Sequence, residues 1–291
     1  MHQPVLVAEV LACLVPRDGG IYVDGNLGLG GHSVRILEQC KPSGKVIGFD
    51  WDASALALAK ERLAPFGERL IAVHRNFALL KETLQEMGIA PVDGILLDLG
   101  LSSYQLEAGG RGFSFQGSEP LDMRMDQRLA KTAADWVNTA TQEELADIFF
   151  YYGEEWQARR IARFLVEERR RERIATTDQL VRIVECAVPR RFRPKKIHVA
   201  TKVFQALRIA VNGELDNLQR ILRDGPELIR PGGRFCVITF HSLEDRLVKR
   251  NMLGNPRLHV LTRRPVTPGV IEIEHNPRCR SAKLRVAEVR G

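Results

Sequence analysis

The chain has 291 residues, of which 44% are hydrophobic and 27% charged, with a formal net charge of +7 and an isoelectric point near 9.3. This composition is ordinary for a globular protein, and no apolar stretch is long enough to cross a bilayer. Five scattered cysteines without a C-x-x-C pair indicate neither a disulfide framework nor a zinc site. The N-terminal sequence has no signal or transit pattern, so we expect a cytoplasmic protein without a membrane partner.

The positive charge is concentrated in one segment. Residues 159–196 contain thirteen Arg and Lys and five Asp and Glu, a net charge of +8, whereas residues 105–158 contain four against ten, a net charge of −6. Such a block is typical of a surface that binds a polyanion, although Glu167, Glu168 and Glu172 among the arginines also fit a solvated helix face.

Strands and helices alternate over the first hundred residues. Short apolar runs predict strands at 21–23, 45–50, 70–74 and 92–98, and helices are predicted at 4–15, 54–63 and 79–87, with one more after the glycine-rich turn that follows the first strand. Because repeated strand-helix-strand units build parallel sheets, this order predicts a doubly wound α/β sheet.

The middle of the chain has a different pattern. Residues 105–208 contain no convincing strand, and helices are predicted at about 133–137, 142–151, 155–171 and 177–187. The α/β pattern then resumes with a helix at 214–228, a strand at 234–240, a helix that begins near His241, and closing strands at 258–262 and 283–289. We therefore expect one α/β domain from residues 1–104 and 209–291, with an inserted helical domain at 105–208.

The turn after the first strand is rich in glycine. Asp24 ends the strand, and the glycines that follow are Gly25, Gly28, Gly30 and Gly31. A dinucleotide fingerprint requires a third glycine where this chain has Ser33, so the turn is more similar to motif I of the S-adenosylmethionine methyltransferases. A turn that binds no ligand is the alternative.

Polar side chains mark the carboxyl ends of the predicted strands, where parallel sheets bind ligands. Asp24, Asp50 and Asp98 each end a strand, and Phe77 follows another. A carboxylate at position 50 can accept hydrogen bonds from the two hydroxyls of a ribose, although it could instead cap the helix that starts near Asp52.

Asp98 ends the fourth strand, where enzymes that methylate amines keep a polar or acidic residue. The exocyclic amine of cytosine or adenine is a poor nucleophile because its lone pair is conjugated with the ring. A carboxylate that accepts an N–H bond favours a pyramidal nitrogen whose lone pair can face the methyl group, so the predicted transfer is a direct displacement. A simple cap at the end of the strand is the alternative.

Several motifs together resemble the bacterial small-subunit (16S) rRNA cytosine-N4 methyltransferases of the MraW/RsmH family. They follow in order along essentially the whole chain: Gly30-Gly31-His32-Ser33, Asp98 to Leu106, Arg111 to Phe115, Pro120 to Met125, Phe204 to Ile209 with Val211-Asn212, Phe240 to Arg246, Asn276 to Arg278, and Arg280 to Arg285.

The resemblance implies a class I, Rossmann-like methyltransferase sheet with an inserted helical domain that recognises the substrate. It implies S-adenosylmethionine as methyl donor and a cytosine in the decoding region of 16S rRNA as acceptor, in the small ribosomal subunit. The cofactor positions that it implies are Gly30, Gly31, His32, Asp50, Phe77, Asp98 and Gln105, and Asp98 is also the candidate catalytic residue. Neither a metal ion nor a protein partner is implied.

Candidate substrate residues lie outside the implied cofactor positions. Phe113 and Phe115 could stack on a flipped base, with packing within the insertion as the alternative. His241 could bond the substrate, whereas capping of the next helix by Ser242 is the simpler explanation. A further set predicts contacts with the RNA backbone: Arg190, Arg191, Arg193, Lys195 and Lys196.

Two functions of other classes stay open at this point. A nicotinamide-dependent oxidoreductase could use the same sheet, although Ser33 argues against it. A non-catalytic RNA-binding module with a degenerate Rossmann-like sheet is the second, and it predicts that Asp98→Ala leaves RNA binding and any cellular role intact.

Overall fold

The structure of the protein is a computed structural model that describes residues 4–107 and 110–291. The chain divides into two compact units. The first contains the described residues up to 102 together with 215–291, and the second contains those of 103–214.

Seven strands form a single sheet in the first unit: β1 Ile21–Asp24, β2 Lys45–Asp50, β3 Leu70–His74, β4 Val92–Asp98, β5 Ile229–Thr239, β6 Leu258–Val260 and β7 Lys283–Val289. Their order is β3-β2-β1-β4-β5-β7-β6. The strands β1 to β5 pair with one another in parallel, whereas β7 is antiparallel to both β5 and β6. This is the Rossmann-like sheet of the class I methyltransferases, so the predicted fold class is confirmed.

Thirteen α-helices are present in the described residues: α1 Val7–Leu14, α2 Gly31–Gln39, α3 Ala53–Leu63, α4 Leu80–Glu86, α5 Ser103–Glu107, α6 Ala133–Thr139, α7 Gln142–Asp147, α8 Ala158–Glu168, α9 Thr177–Ala187, α10 Thr201–Asn212, α11 Glu214–Leu228, α12 Ser242–Gly254 and α13 Val270–His275. None of these helices is both long and apolar enough to cross a bilayer.

The sheet is buried on both faces. Consecutive residues of its central strands belong to two different apolar clusters: Val23, Ile47 and Leu97 to one, and Tyr22, Val46 and Leu96 to the other. Because neighbouring side chains of a strand point to opposite faces, both faces are covered. This explains why the strands appear in the sequence as continuous apolar runs.

The second unit is built from helices, and no strand forms among the residues described in it. The helix α10 lies wholly within this unit, whereas we expected the α/β pattern to resume at residue 209. Another difference lies in β5, which begins at Ile229 and includes Pro231-Gly232-Gly233, the segment expected to form a turn. The register with β4 shifts between Val92 and Gly94, so this segment forms a bulge within β5 rather than a turn before it.

Candidate active site

The glycine-rich turn after β1 is anchored above the two neighbouring strands. Gly25 N donates to Leu96 O at 2.8 Å, and Leu27 N donates to Phe49 O at 2.8 Å. Gly30 caps α2 with φ 75°, a left-handed conformation that favours glycine. A Cβ atom on Gly30 would also lie 2.4 Å from Leu63 Cδ1, so a side chain at this position would displace Leu63.

Asp24 is buried beneath this turn. Its Oδ2 accepts a hydrogen bond from Ser33 Oγ at 2.7 Å, and its Oδ1 accepts one from Asn26 N at 3.3 Å. Burial raises the pKa of Asp24 to about 6, although both hydrogen bonds lower it. The serine that departs from the dinucleotide fingerprint therefore has a role of its own, because it holds the carboxylate at the end of β1.

Asp50 lies at the end of β2, and its two oxygens accept backbone hydrogen bonds. Oδ2 accepts from Gly28 N at 2.8 Å and Oδ1 from Asp52 N at 2.9 Å. Burial is the largest cause that raises its pKa to about 7. The helix α3 is capped by Asp52, which accepts from Ser54 N and Ala55 N, so the alternative that Asp50 caps this helix is wrong.

Asp98 lies at the end of β4, with 24% of its side chain exposed. Its Oδ2 is 3.6 Å from Nε2 of His32, which is in the first turn of α2. Its Oδ1 has no hydrogen-bond partner among the described residues. Burial, together with the smaller effects of the charges of Asp24 and Glu244, raises the pKa of Asp98 to about 8. The site thus contains a carboxyl group with unused acceptor capacity.

The remaining predicted cofactor positions divide between the two units. Gly31 is the first residue of α2, directly after Gly30 in the turn, and Phe77 Cβ lies 3.3 Å from the position that a Cβ on Gly25 would take. Gln105 is on α5 in the second unit, where it is buried. The structure therefore brings Gly30, Gly31, His32, Asp50, Phe77 and Asp98 together around one turn.

His241 is the N-cap residue of α12. Its Nδ1 accepts from Glu244 N at 3.4 Å, while Glu244 Oε2 accepts from Phe240 N at 2.8 Å and from His241 N at 3.3 Å. This is a capping box with histidine in the place usually taken by serine or threonine. The expectation that Ser242 caps the helix is therefore wrong, because Ser242 is already the first helical residue.

The two phenylalanines of the second unit pack within it. Phe113 is buried, with the Arg111 guanidinium 5.4 Å from its ring centroid. Phe115 stacks on His198 at a centroid distance of 5.0 Å and meets the edge of Phe204 at 5.5 Å. These contacts are those expected if the two phenylalanines pack within the insertion. That they stack on a flipped base stays a prediction.

The basic segment at 190–196 contains residues of two kinds. Arg190, Arg191, Lys195 and Lys196 are exposed. Arg193 instead donates from Nη2 to Glu185 O at 2.6 Å and from Nε to Val188 O at 3.2 Å. The guanidinium of Arg193 therefore satisfies carbonyls at the end of α9, a role that the charge pattern alone does not distinguish from RNA binding.

Comparison with known proteins decides the family. Residues 1–290 match the sequence model of the MraW methylase family. The chain belongs to this family. A relative from Desulfotalea psychrophila, named ribosomal RNA small subunit methyltransferase H, is 57% identical over 288 residues, which cover 99% of this chain and 98% of the relative. Proteins of the same name from Geotalea daltonii and Geobacter sulfurreducens are 51% and 52% identical over 305 residues, which cover 99% of this chain and 98% of each relative.

Membership of the MraW methylase family confirms the resemblance drawn from the motifs. Sequence reasoning still missed three features of this member's site: the Asp24–Ser33 hydrogen bond, the histidine cap of α12, and the buried Glu244 whose charge acts on Asp98. The spacing of Asp24 and Ser33 across a glycine turn was the only signal for the first, and His241 three residues before Glu244 was the signal for the second.

Proposed function

We propose that the protein transfers the methyl group of S-adenosylmethionine to the exocyclic N4 amine of a cytosine in the decoding region of 16S rRNA, in the small ribosomal subunit. Relatives that are named small-subunit rRNA methyltransferases and cover the whole chain support this substrate class. The observation that carries the reaction is Asp98, whose Oδ1 has no hydrogen-bond partner among the described residues.

The residues around the glycine turn fit an adenosyl ligand. The backbone at Gly28 and Gly30 has positive φ and carries no side chain that would keep a ligand at a distance. Each oxygen of Asp50 has accepted one backbone hydrogen bond and keeps a lone pair for a ribose hydroxyl. In this proposal Gly30, Gly31, His32, Asp50, Phe77, Asp98 and Gln105 bind the donor, which supplies an electrophilic methyl group on a sulfonium.

Asp98 is the group that acts on the amine. Its free oxygen accepts an N–H bond from the N4 amine, and this turns the nitrogen lone pair away from the ring. As the N–C bond forms and the S–C bond breaks, the nitrogen becomes cationic and must lose a proton, which Asp98 accepts. No covalent intermediate is required, so alignment of the two reactants provides much of the acceleration.

The protonation state of Asp98 links its role in donor binding to its role as proton acceptor. With a pKa of about 8, the carboxyl group is mostly protonated at neutral pH in the protein alone. A cationic group bound beside it favours the carboxylate and lowers its pKa. Asp98 therefore becomes a proton acceptor when the site is filled.

RNA binding is assigned to the cations of the second unit. Arg190, Arg191, Lys195 and Lys196 are exposed and can contact phosphates, and Phe192 is 51% exposed beside the Arg191 guanidinium. His241 and Phe115 are retained as weaker candidates for contacts with the substrate. The target amine lies on the Watson–Crick edge, so a paired cytosine must first be exposed.

The test is transfer of labelled methyl from S-adenosylmethionine to small ribosomal subunits from cells that lack this protein, followed by nucleoside analysis. We expect the label in N4-methylcytidine, with little transfer to subunits from cells that contain the protein. Label in another nucleoside, or only in DNA or protein, contradicts the proposal. Naked 16S rRNA serves as the second substrate, which separates free RNA from the assembled subunit.

A further inference from the structure

A second basic region lies in the first unit. Residues 246–291 contain eleven Arg and Lys against three Asp and Glu, a net charge of +8. Two members of this region are paired within the fold, because Lys283 and Arg285 both contact Asp245. The exposed members of this region therefore remain to be explained.

Three of the exposed arginines, Arg263, Arg264 and Arg280, make no hydrogen bond or ion pair with any residue that the structure describes. All three are exposed, and Arg278 beside them is exposed as well. Of the two acidic residues in this segment, Glu272 accepts a hydrogen bond from Leu6 N at 2.7 Å, and Glu274 is exposed. The segment 263–281 thus keeps an excess of positive charge.

The strand pairing determines where these arginines lie. Val260 is the last residue of β6, and Leu261 N then donates to Val286 O at 2.9 Å. Val266 exchanges hydrogen bonds with Leu284 at 3.0 and 2.8 Å, so Arg263 and Arg264 run beside the first half of β7.

The same pairing relates them to Asp98. Asp98 is in register with Ile238, Ile238 with Leu284, and Leu284 with Val266. These four residues form one row across the sheet, and three strand spacings of about 4.8 Å separate its ends by roughly 14 Å. Arg280 lies in the turn just before β7, which starts opposite Thr239, the last residue of β5. The arginines therefore share the carboxyl edge of the sheet with Asp98.

We propose that Arg263, Arg264 and Arg280 form a second RNA-binding surface, which contacts phosphates of the rRNA that flank the acceptor nucleotide. Planar guanidinium groups without a protein partner fit phosphate oxygens, and their separation from Asp98 suits neighbouring nucleotides rather than the reacting base. This inference rests on the proposed function for the identity of the RNA, whereas the contact with phosphate is independent of the reaction.

The test compares two sets of variants with a decoding-region fragment of 16S rRNA. The triple variant Arg263→Gln, Arg264→Gln, Arg280→Gln removes the surface. The control Arg257→Gln, Arg290→Gln removes exposed charge at the other end of the same strand pair, where Arg290 N donates to Arg257 O at 2.8 Å. RNA affinity is measured by fluorescence anisotropy at several salt concentrations, and donor affinity by calorimetry.

We expect the triple variant to bind RNA at least about ten-fold more weakly at low salt, with the slope of log K against log salt reduced by about 2, or roughly 0.7 for each lost phosphate contact. The control and the Arg→Lys versions of the three positions should keep most of the slope. Donor affinity should stay unchanged in every variant, which shows that the sheet is folded.

An unchanged slope in the triple variant overturns the inference. It is also overturned if naked RNA binds normally and only binding to the assembled subunit is lost, because the surface then contacts a ribosomal protein. If no methyl transfer occurs in any form while the slope still falls, the proposed reaction fails and the RNA-binding surface stands.

Discussion

His32 Nε2 lies 3.6 Å from Asp98 Oδ2, which joins the first turn of α2 to the end of β4. His32 is buried, so water cannot easily replace its polar contact with Asp98 when the side chain is removed. We predict that His32→Ala weakens donor binding about 10- to 100-fold, the range for a lost polar contact with a charged group. Calorimetry checks this value, and His259→Ala, which removes an exposed histidine of β6, should change nothing.

Asp98→Asn should lower the rate of methyl transfer by about 10²–10⁴-fold, the usual contribution of a positioned proton acceptor. RNA binding should be unaffected, because the side chain contacts the amine rather than phosphates. Single-turnover transfer to small subunits measures the rate. The control Asp216→Asn, at an exposed position of α11, should transfer at the normal rate. A fully active Asp98→Asn variant contradicts the assignment of Asp98 as the proton acceptor.

The rate should depend on pH through Asp98. Because burial raises its pKa to about 8, kcat/KM for the donor should increase with pH up to about 8 and then level off. This increase of kcat/KM with pH should be absent in the Asp98→Asn variant. A profile that is flat between about pH 6 and pH 9 contradicts the assignment.

The free energy of unfolding should also depend on pH through Asp98, but it should decrease with rising pH, whereas the rate increases. The folded protein holds the Asp98 proton more tightly than the unfolded chain does, so its contribution is complete at acid pH and is lost as the pH rises through about 8. Without ligand, Asp98→Asn should therefore be more stable than the natural protein by about 1–3 kcal/mol at about pH 9. The difference should shrink as the pH falls and vanish only at about pH 4, the usual pKa of an aspartate in the unfolded chain. Urea unfolding at the two pH values measures it, and an equal difference at both excludes titration of Asp98 as the cause.

The basic segment should separate into structural and RNA-binding residues. Arg193→Ala should destabilise the protein by about 1–3 kcal/mol, because Glu185 O and Val188 O lose their donor. Arg190→Ala and Arg191→Ala should leave the stability unchanged and reduce the salt dependence of RNA binding. Thermal unfolding and anisotropy distinguish the two classes. Equal effects of all three variants on both measurements contradict this division.

The sequence was sufficient for the sheet because its strands are buried on both faces and read as unbroken apolar runs. Asp50 and Asp98 could be placed at strand ends for the same reason. The caps were harder to predict: Asp50 and Asp52 are both plausible caps of α3, and only the hydrogen bonds show that Asp52 takes this role. His241 was not expected to cap α12, because histidine is an uncommon cap residue.

The second unit was less predictable than the sheet. Its helices depend on packing with one another, so the sequence pattern did not indicate that α10 belongs to this unit as one uninterrupted helix. Arg193 shows the same limit for charge, since one arginine of a basic run binds backbone carbonyls while its neighbours are exposed.

Proton release on donor binding at pH 7 reports directly whether the donor's cationic group lies beside Asp98. Calorimetric titrations of S-adenosylmethionine in buffers of different ionisation enthalpy give the number of protons released. If the donor's cationic group lies beside Asp98, the natural protein should release close to one proton more than Asp98→Asn does. Equal proton release by the two proteins, with normal donor affinity, contradicts the account.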